Sequence, residues 1–422
     1  MELKRVELKR VVVTGMGALT PLGNSVDDYW SGLINGVSGA DMITLFDAAK
    51  FRTKFACEVK NFDPVQFLDK KEARKIDRFT QLALVASDQA MTDAGLNKEN
   101  INPDRIGVVL ASGIGGLITF QNEVMDFAKG DGTPRFNPFF IPKMILDIAA
   151  GQISMRHNLR GPNYAVVSAC ASSTNAIIDA LTILRLGKAD IIVTGGSEAV
   201  ISEAGVGGFN AMKAMSERND DPKTASRPYD KDRDGFVMGE AAGVLVLEEL
   251  EHAKARGAKI YCEVVGGGAT ADAHHITAPH PEGLGAKNVM LVALEDAGMK
   301  REDIDYINTH GTSTPLGDIA ETKAIMDVFG DHAYRLNISA TKSMTGHCLG
   351  AAGVIEAIAC IKSVVHDMVP PTINHFTDDP DLDPKLNFTF NKAQNRTVNA
   401  ALSNTFGFGG HNACVIVKKF KD

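Results

Sequence analysis

Cys170 is the residue of this chain whose surroundings best suit nucleophilic chemistry. The β-branched run Tyr164–Val167 predicts a buried strand, and an apolar stretch from Ala176 to Leu186 predicts a helix. The cysteine between them would lie beside a helix N-terminus, where free N–H groups and the helix dipole favour a thiolate. We therefore expect a lowered pKa and a reactive thiol. The alternative is a small buried hydrophobic residue, which is the role of most free cysteines.

Two histidines lie in loops rich in small residues. His310 belongs to the loop Asn308–Asp318, which follows a predicted strand, and His347 ends the segment Lys342–His347. Such loops allow an imidazole to reach a site, and functional groups concentrate on them. A capping or core histidine is an equally good interpretation of either residue alone.

Lys342 and a third glycine-rich loop complete the set of candidate residues. Lys342 precedes a helix that contains Glu356, and we expect a buried ion pair that orients the loop. In the loop Asn404–Asn412, the glycines allow close backbone approach. Phe408 could swing to close an apolar cavity, and its N–H could serve an oxyanion. The alternative for this loop is a β-bulge with core aromatics.

Strand-like and helix-like segments alternate along the chain and predict a layered α/β protein. The predicted strands are Arg10–Thr14, Arg105–Ala111, Tyr164–Val167, Ile191–Thr194, Gly243–Glu248, Tyr261–Val265, Tyr306–Thr309, Ala400–Ser403 and Ala413–Lys418. The predicted helices are Thr80–Ala94, Ser173–Leu186, Asn288–Ala297 and Gly350–Val365.

An internal duplication is visible in two pairs of segments. Ser168 and Ser339 each begin a small-residue turn before an apolar helix, and the segments beginning at Gly239 and Gly410 resemble each other. Both pairs are separated by 171 residues. Two matches in register indicate related halves. We place these halves at residues 1–255 and 256–422, with the seam near Glu251–Lys259.

Net charge, cysteine spacing and the lack of several motifs argue against some classes of function. The net charge of −8 argues against general nucleic-acid binding. The six cysteines form no C-x-x-C pair, so no metal site is expected. We find neither a signal peptide nor an apolar run of membrane length, and a reducing cytoplasm is expected. Gly15-Met16-Gly17 lacks the third glycine of a dinucleotide fingerprint, and no phosphate-binding P-loop is present.

Taken together, the motifs resemble the decarboxylating β-ketoacyl-acyl-carrier-protein synthases of the thiolase superfamily. The resemblance extends from about Lys9 to Lys419. Besides the loops above, it rests on Val11–Gly17, Arg160–Pro162, Ser168–Cys170, Gly195–Glu198, Arg227–Asp230 and Gly407–Gly410. It implies a thiolase-like duplicated α/β fold with two pseudo-symmetric halves in an α-β-α-β-α arrangement.

The resemblance also implies roles for the candidate residues. Cys170 would accept an acyl group from a carrier-protein thioester, and the N–H groups of Cys170 and Phe408 would hold the oxyanion. His310 and His347, both neutral with Nε2–H toward the substrate, would stabilise the enolate formed when malonyl-carrier protein loses carbon dioxide. The product would be a 3-oxoacyl thioester two carbons longer. Lys342, paired with Glu356, would orient the site.

Further positions follow from the same resemblance. Thr312 and Thr314 would bind the phosphopantetheine arm, and Ile114 would gate the acyl pocket across a homodimer interface. Phe406 and Gly407 would line the substrate site, with Phe408 as gatekeeper, and no cofactor is implied. The basic residues that would dock the acidic acyl carrier protein, or else form a solvated face, are Lys70, Lys71, Arg74, Lys75, Arg78, Arg135 and Arg218.

Three functions remain open from the sequence. Chain elongation in fatty-acid synthesis is the main hypothesis, because the second histidine of the decarboxylating enzymes is present as His347. A specialised polyketide or aryl-polyene synthase would carry the same residues. A non-catalytic chain-length or scaffold subunit is disfavoured because Cys170 is retained. Thr174 and His411 depart from the family pattern, and the preferred chain length is not fixed by any motif.

Overall fold

A computed structural model describes residues 7–97 and 101–421 of the chain. Its helices are α1 (Val26–Ile34), α2 (Lys70–Ala73), α3 (Arg78–Asp93), α4 (Leu117–Lys129), α5 (Phe140–Met144), α6 (Ile148–His157), α7 (Ser172–Arg185), α8 (Glu203–Ala211), α9 (Leu250–Ala255), α10 (Leu284–Ala297), α11 (Pro315–Phe329), α12 (Lys342–Thr345) and α13 (Ala352–His366). Its strands are β1 (Val11–Leu19), β2 (Asp41–Met42), β3 (Phe55–Ala56), β4 (Ile106–Ala111), β5 (Asn163–Val166), β6 (Ile191–Glu198), β7 (Ala241–Glu249), β8 (Cys262–Ala271), β9 (Tyr306–Asn308), β10 (Asn337–Ser339), β11 (Met368–Val369), β12 (Gln394–Asn395), β13 (Ala400–Gly407) and β14 (His411–Lys418).

The strand order shows the duplication directly. Within the described residues, ten strands form one mixed sheet in the order β10-β9-β13-β14-β8-β1-β7-β6-β4-β5. Starting from the paired strands β8 and β1 at the middle of the sheet and moving toward either edge, each half has two antiparallel pairings followed by two parallel ones. β4, β5 and β6 therefore correspond to β9, β10 and β13. The predicted pair of related halves is confirmed.

The helices form three layers around the strands. α7 and α13 contact strands of both halves and each other, so they form the central layer. Helix α3 covers β1 and β7 on one outer side, and α10 covers β8 and β14 on the other. Buried residues occupy almost the whole circumference of α13, as expected of a helix enclosed on every side. In the part of the chain that the structure describes, the two five-stranded halves of the sheet are joined through only two residue pairs of β1 and β8 and supply the two β layers, as in the predicted α-β-α-β-α arrangement.

Two sequence-based expectations about these elements are wrong. The residues of β5 are exposed or half-buried, because β5 is the edge of the sheet and pairs only with β4 among the described strands. A membrane-length apolar segment does exist, at Leu349–His366, but 89% of it is buried inside the protein. It is the central core helix together with the turn that precedes it.

Candidate active site

The turn that carries Cys170 is held by side chains at the start of α7. Ser172 Oγ accepts a hydrogen bond from Ser168 N at 2.8 Å and donates one to Ala169 O at 2.6 Å. Asn175 Nδ2 donates to Ser168 Oγ at 2.7 Å. Ala169 has a φ of +51°, a left-handed conformation that is uncommon for a residue with a side chain. The turn is thus strained and tied down, and Cys170 follows it immediately.

His347 reaches this turn from the other half of the chain. Its Nε2 lies 3.0 Å from Cys170 Sγ. The backbone of His347 is fixed on both sides, because its N–H donates to Val237 O at 2.7 Å and its carbonyl accepts from Gly239 N at 2.9 Å. Its ring packs edge-on against Phe236, with the centroids 5.5 Å apart.

His310 faces the same thiol pocket from the turn after β9. Its ring centroid is 5.3 Å from that of His347, and the two planes are nearly perpendicular. Glu321 on α11 accepts hydrogen bonds from the backbone N–H groups of His310 and Gly311, each at 2.9 Å. Asn404 Nδ2 donates to the same carboxylate at 3.2 Å. This carboxylate therefore fixes the position of His310.

Glu321 was not among the residues predicted from the sequence, although a signal was available. The residue is fully buried, and this burial raises its pKa to about 7. In the sequence it is an acidic residue placed between Ala320 and Thr322 on a helix that follows a candidate catalytic loop. An acidic side chain on the buried face of such a helix needs hydrogen-bond donors. The nearest donors are the backbone N–H groups of the loop that precedes the helix.

Both imidazoles are neutral at physiological pH, as expected. Burial lowers the pKa of His310 and of His347 well below the usual range, and the positive charge of Lys342 lowers both further. Nδ1 of each ring is buried without a hydrogen-bond partner among the described residues. A proton on Nδ1 would leave a buried donor unpaired, which proteins rarely tolerate. The ring protons are therefore best placed on Nε2, which for His347 faces Cys170.

Lys342 begins α12 and forms a buried ion pair with Glu356 of α13. Both side chains are only 1% exposed. Burial raises the pKa of Glu356 to about 7, and the ammonium group of Lys342 opposes that rise. The pair joins the helix before His347 to the central core helix, so it holds the loop that carries His347.

The expected lowering of the pKa of Cys170 is wrong. Burial raises the pKa of this thiol to about 12. Lys342 and the N–H groups of Phe408 and Cys170 itself lower it, whereas the charge of Glu198 raises it. The neighbouring N–H groups thus act in the predicted direction, but desolvation of a fully buried thiolate outweighs them.

The glycine-rich loop is the connection between the paired strands β13 and β14. A Cβ on Gly407 would lie 2.8 Å from Ser168 O and 3.1 Å from Cys170 N, so the loop touches the cysteine turn backbone to backbone. The N–H groups of Phe408 and Cys170 converge on Cys170 Sγ. Asp272 is hydrogen-bonded to this loop through its backbone N–H, which donates to Gly410 O at 2.9 Å.

These elements enclose a cavity of about 590 Å³. Cys170, His310 and His347 line it. Ile114, in the loop between β4 and α4, lines it together with Phe209 and Leu349. Four further predicted substrate residues also line it, namely Thr312, Thr314, Phe406 and Gly407. The hydroxyls of Thr312 and Thr314 lie 3.1 Å apart.

The basic residues predicted to dock a partner do not form one helix face. Helix α2 ends at Ala73, and α3 begins at Arg78 after the cap residue Asp77. Arg78 points inward and pairs with buried Glu240 at 2.6 Å, so its predicted docking role is wrong. The four residues that remain exposed in this region are Lys70, Lys71, Arg74 and Lys75.

The two more distant arginines are partly engaged within the chain. Arg135 is exposed and lies 3.3 Å from Asp131. Arg218 is half-buried, and its guanidinium donates to Asp232 O at 3.0 Å. Within residues 7–97 and 101–421, no group of three or more His, Cys, Asp or Glu side chains could hold a metal ion.

Family models match most of the chain. Residues 8–253 match the β-ketoacyl synthase N-terminal domain, and residues 261–376 match the β-ketoacyl synthase C-terminal domain. The chain is 49% identical to a 3-oxoacyl-[acyl-carrier-protein] synthase 2 of Synechocystis sp. (strain ATCC 27184 / PCC 6803 / Kazusa), over 99% of this chain and 100% of that protein. It is 50% identical to the enzyme of the same name from Staphylococcus aureus (strain N315), over 98% and 99%.

Solved structures of similar proteins agree with the fold. A β-ketoacyl synthase from Burkholderia phymatum STM815 superposes with a TM-score of 0.91 at 35% identity, over 98% of this chain and all of that one. A ketosynthase solved with its type II polyketide synthase acyl-carrier protein, and bound to a hexaketide, superposes with a TM-score of 0.89 at 31% identity, with the same coverage.

Proposed function

The chain belongs to the β-ketoacyl synthase family, and we propose that it is a 3-oxoacyl-[acyl-carrier-protein] synthase II that uses Cys170 as its nucleophile. It condenses acyl-carrier protein with malonyl-carrier protein in the elongation steps of fatty-acid synthesis. The observation that carries the role of Cys170 is the meeting of two imidazoles and two backbone N–H groups around one buried thiol. Nucleophilic acyl transfer needs such an arrangement.

In the first half-reaction, Cys170 Sγ attacks the thioester carbonyl of acyl-carrier protein. The N–H groups of Cys170 and Phe408 stabilise the oxyanion that forms on this carbonyl. The carrier's pantetheine sulfur leaves and takes up the proton that the cysteine thiol gives up. Because burial raises the pKa of Cys170 to about 12, the resting nucleophile is a thiol. His347 Nε2, 3.0 Å from Sγ, stabilises the charge that develops during attack.

In the second half-reaction, malonyl-carrier protein occupies the emptied thioester site. Its carboxylate leaves as carbon dioxide, and the bonding electrons move into an enolate whose oxygen faces His310 and His347. Neutral imidazoles suit this role, because each can donate one Nε2–H without a proton transfer. The enolate carbon attacks the acyl group on Cys170, and Sγ leaves as a thiolate that takes up a proton from solvent. The products are 3-oxoacyl-carrier protein and carbon dioxide.

The carrier protein reaches the cavity with its phosphopantetheine arm. Two hydroxyls 3.1 Å apart, those of Thr312 and Thr314, line the cavity and can hydrogen-bond the amides of such an arm. The acidic carrier would dock on the exposed basic residues of the α2 segment, Lys70, Lys71, Arg74 and Lys75. Arg135 and Arg218 would extend this surface.

A second copy of the chain is the proposed partner of an exposed apolar face. Edge strand β5 is followed by Val167, which is 57% exposed, and neighbouring α6 presents Met155 at 66%. On α4 and the segment after it, Phe127 and Phe136 stack with centroids 5.4 Å apart and are both 40% exposed. An exposed edge strand beside a large apolar face is typical of a protein interface.

Such a dimer would complete the acyl site. Ile114 lies in the loop that leads into α4, lines the cavity and is 37% exposed in the single chain.

We propose two further assignments. The halves of each subunit are residues 1–255, which supply Cys170, and 256–422, which supply the histidines. The enzyme acts in the reducing cytoplasm, which fits its six unpaired buried cysteines.

Product analysis tests the proposed function. The chain is incubated with malonyl-carrier protein and acyl-carrier proteins of graded length, and products are identified by mass spectrometry. We expect one acyl mass on Cys170 and a product two carbons longer. A product extended repeatedly without reduction would indicate a polyketide synthase instead. No acyl mass at any chain length would indicate a scaffold subunit.

A further inference from the structure

Glu198 is a fully buried carboxylate at the end of β6 that accepts five hydrogen bonds. Oε1 accepts from Ser112 Oγ at 2.9 Å and from the N–H groups of Ile114 and Gly115 at 3.1 and 3.3 Å. Oε2 accepts from Gly113 N at 2.7 Å and from Gly350 N at 3.0 Å. One side chain therefore binds four donors of one loop and one donor of another, and it lines the same cavity as Cys170.

The two loops come from opposite halves of the chain. The gate loop, Ser112–Gly116, carries Ile114, whereas Gly350 lies three residues after His347. A Cβ on Gly350 would lie 2.3 Å from Gly113 N and 2.6 Å from Glu198 Oε2. No side chain separates the two backbones at this point. The carboxylate is thus the common anchor of the acyl gate and of the loop that follows His347.

We propose that Glu198 is a positioning residue that holds the gate loop in register with the His347 loop, and so sets both which acyl chains enter the cavity and the charge facing Cys170. This inference rests on the proposed function, because it assigns a role within the same condensation. Glu198 itself touches neither the thiol nor the imidazoles through any of its five hydrogen bonds. It acts through the loop backbones that it binds and through the electrostatic field of its charge.

The ionised form of Glu198 suits its surroundings. All five partners are donors, and a protonated carboxyl would turn an O–H toward one of them. Burial raises the pKa of Glu198, and the N–H groups of Gly113, Ile114 and Gly350 oppose this rise. The charge also raises the pKa of Cys170, whereas Lys342 lowers it. Two buried charges of opposite sign therefore act on the thiol, and His347 Nε2 is its hydrogen-bond partner.

Two variants separate the effect of the negative charge of Glu198 from the effect of its side-chain length. Glu198→Gln keeps the length of the side chain and removes the charge, so the pH midpoint for alkylation of Cys170 by iodoacetamide should fall. Glu198→Asp keeps the charge and shortens the reach, so this midpoint should stay within a few tenths of a unit. In both variants the gate is loosened, and the ratio of kcat/KM for short and long acyl-carrier proteins should change about tenfold.

Ser112→Ala serves if Glu198→Gln does not fold. It deletes one of the five donors, and with it the 3.1 Å bond from Gly115 N to Ser112 Oγ, but leaves the carboxylate in place. The chain-length ratio should change in the same direction, with the alkylation midpoint unaltered. An unchanged midpoint in folded Glu198→Gln, or an unchanged ratio in every folded variant, would overturn the inference. Absence of acyl transfer in the parent chain would overturn the proposed function instead, since alkylation is measured without any acyl substrate.

Discussion

His347 Nε2 lies 3.0 Å from Cys170 Sγ, although the two residues are 177 positions apart and belong to different halves of the chain. The duplicated topology explains the contact. Cys170 follows β5, and His347 follows β10, the strand that corresponds to β5 in the second half. Two symmetry-related turns thus meet at one cavity and supply different groups, a thiol from one and an imidazole from the other.

Replacing the thiol tests the nucleophile. Cys170→Ala should abolish condensation and the gain of acyl mass, because no other cysteine lines the cavity among the described residues. The matched control is Cys262→Ala, which removes a buried thiol from β8 and should still gain one acyl group. Intact-protein mass spectrometry after incubation with acyl-carrier protein provides the measurement. Condensation that persisted in Cys170→Ala would contradict the assignment.

The histidines should affect the two half-reactions differently. His347→Ala removes one donor to the enolate, so malonyl decarboxylation should fall by about 10²–10³-fold. Acyl transfer to Cys170 should fall less, because the proposed donors to its oxyanion are backbone N–H groups. Release of labelled carbon dioxide and acyl loading are measured separately, with His332→Ala as a control away from the cavity. Equal losses in both steps would count against this division of roles.

Glu321 should make stability depend on pH. Its pKa is about 7 in the folded protein and 4.5 in the reference state, so the folded protein holds a proton that the unfolded chain has lost. Its contribution is complete below pH 4.5 and is lost as the pH rises toward 7, by about 3 kcal/mol at most. Glu321→Gln should remove this part of the slope, measured as the free energy of unfolding against pH. Exposed Glu282→Gln should leave the slope as it is, and a parent slope retained in Glu321→Gln would refute the assignment.

Gly407 should tolerate no side chain. A methyl group there would lie 2.8 Å from Ser168 O, so Gly407→Ala must displace the loop from the cysteine turn. Acyl transfer should fall at least tenfold, since a shifted Phe408 N–H no longer reaches the oxyanion. Gly208→Ala is the control, because its methyl group meets nothing within 4 Å in α8 and should stabilise by about 0.5–1 kcal/mol. Normal acyl transfer by Gly407→Ala would show that the contact is unimportant.

The exposed apolar face formed by β5, α6 and α4 should be buried between two copies of the chain. The parent chain should elute at twice its mass of 45.1 kDa when size-exclusion chromatography is combined with light scattering. Phe136→Asp places a charge in the proposed interface and should shift the protein toward monomer, with loss of long-chain condensation because the gate at Ile114 is then open to solvent. Val65→Asp, at a separate exposed apolar position, should leave the mass unchanged. A monomeric parent would contradict the dimer.

Much of the fold was predictable because its signals are local. Nine predicted strands overlap β1, β4, β5, β6, β7, β8, β9, β13 and β14, since β-branched runs between glycines and charges are strong strand signals. The 171-residue spacing predicted the two halves. Strand β10 was missed, because Asn337–Ser339 contains a single apolar residue and becomes a strand only by pairing with β9. The exposure of β5 was also missed, since a strand's place at the edge of a sheet is a property of the whole sheet.

The residues that meet in the site were identified by their types and loops, but their chemistry was decided by packing. The sequence alone indicated a cysteine at a helix N-terminus, two loop histidines, a lysine with a glutamate partner and a Gly-Phe-Gly-Gly loop. It predicted a lowered pKa for Cys170, because it showed the helix and not the desolvation. Only the tertiary structure revealed what Glu198 binds, since its donors come from two loops that lie far from it in the sequence. The burial that raises the pKa of Glu321 is likewise decided by packing. The physical reason is that helix dipoles and secondary-structure propensities depend on residues close together in the sequence. Burial and the pairing of hydrogen-bond donors with acceptors depend on the complete tertiary structure.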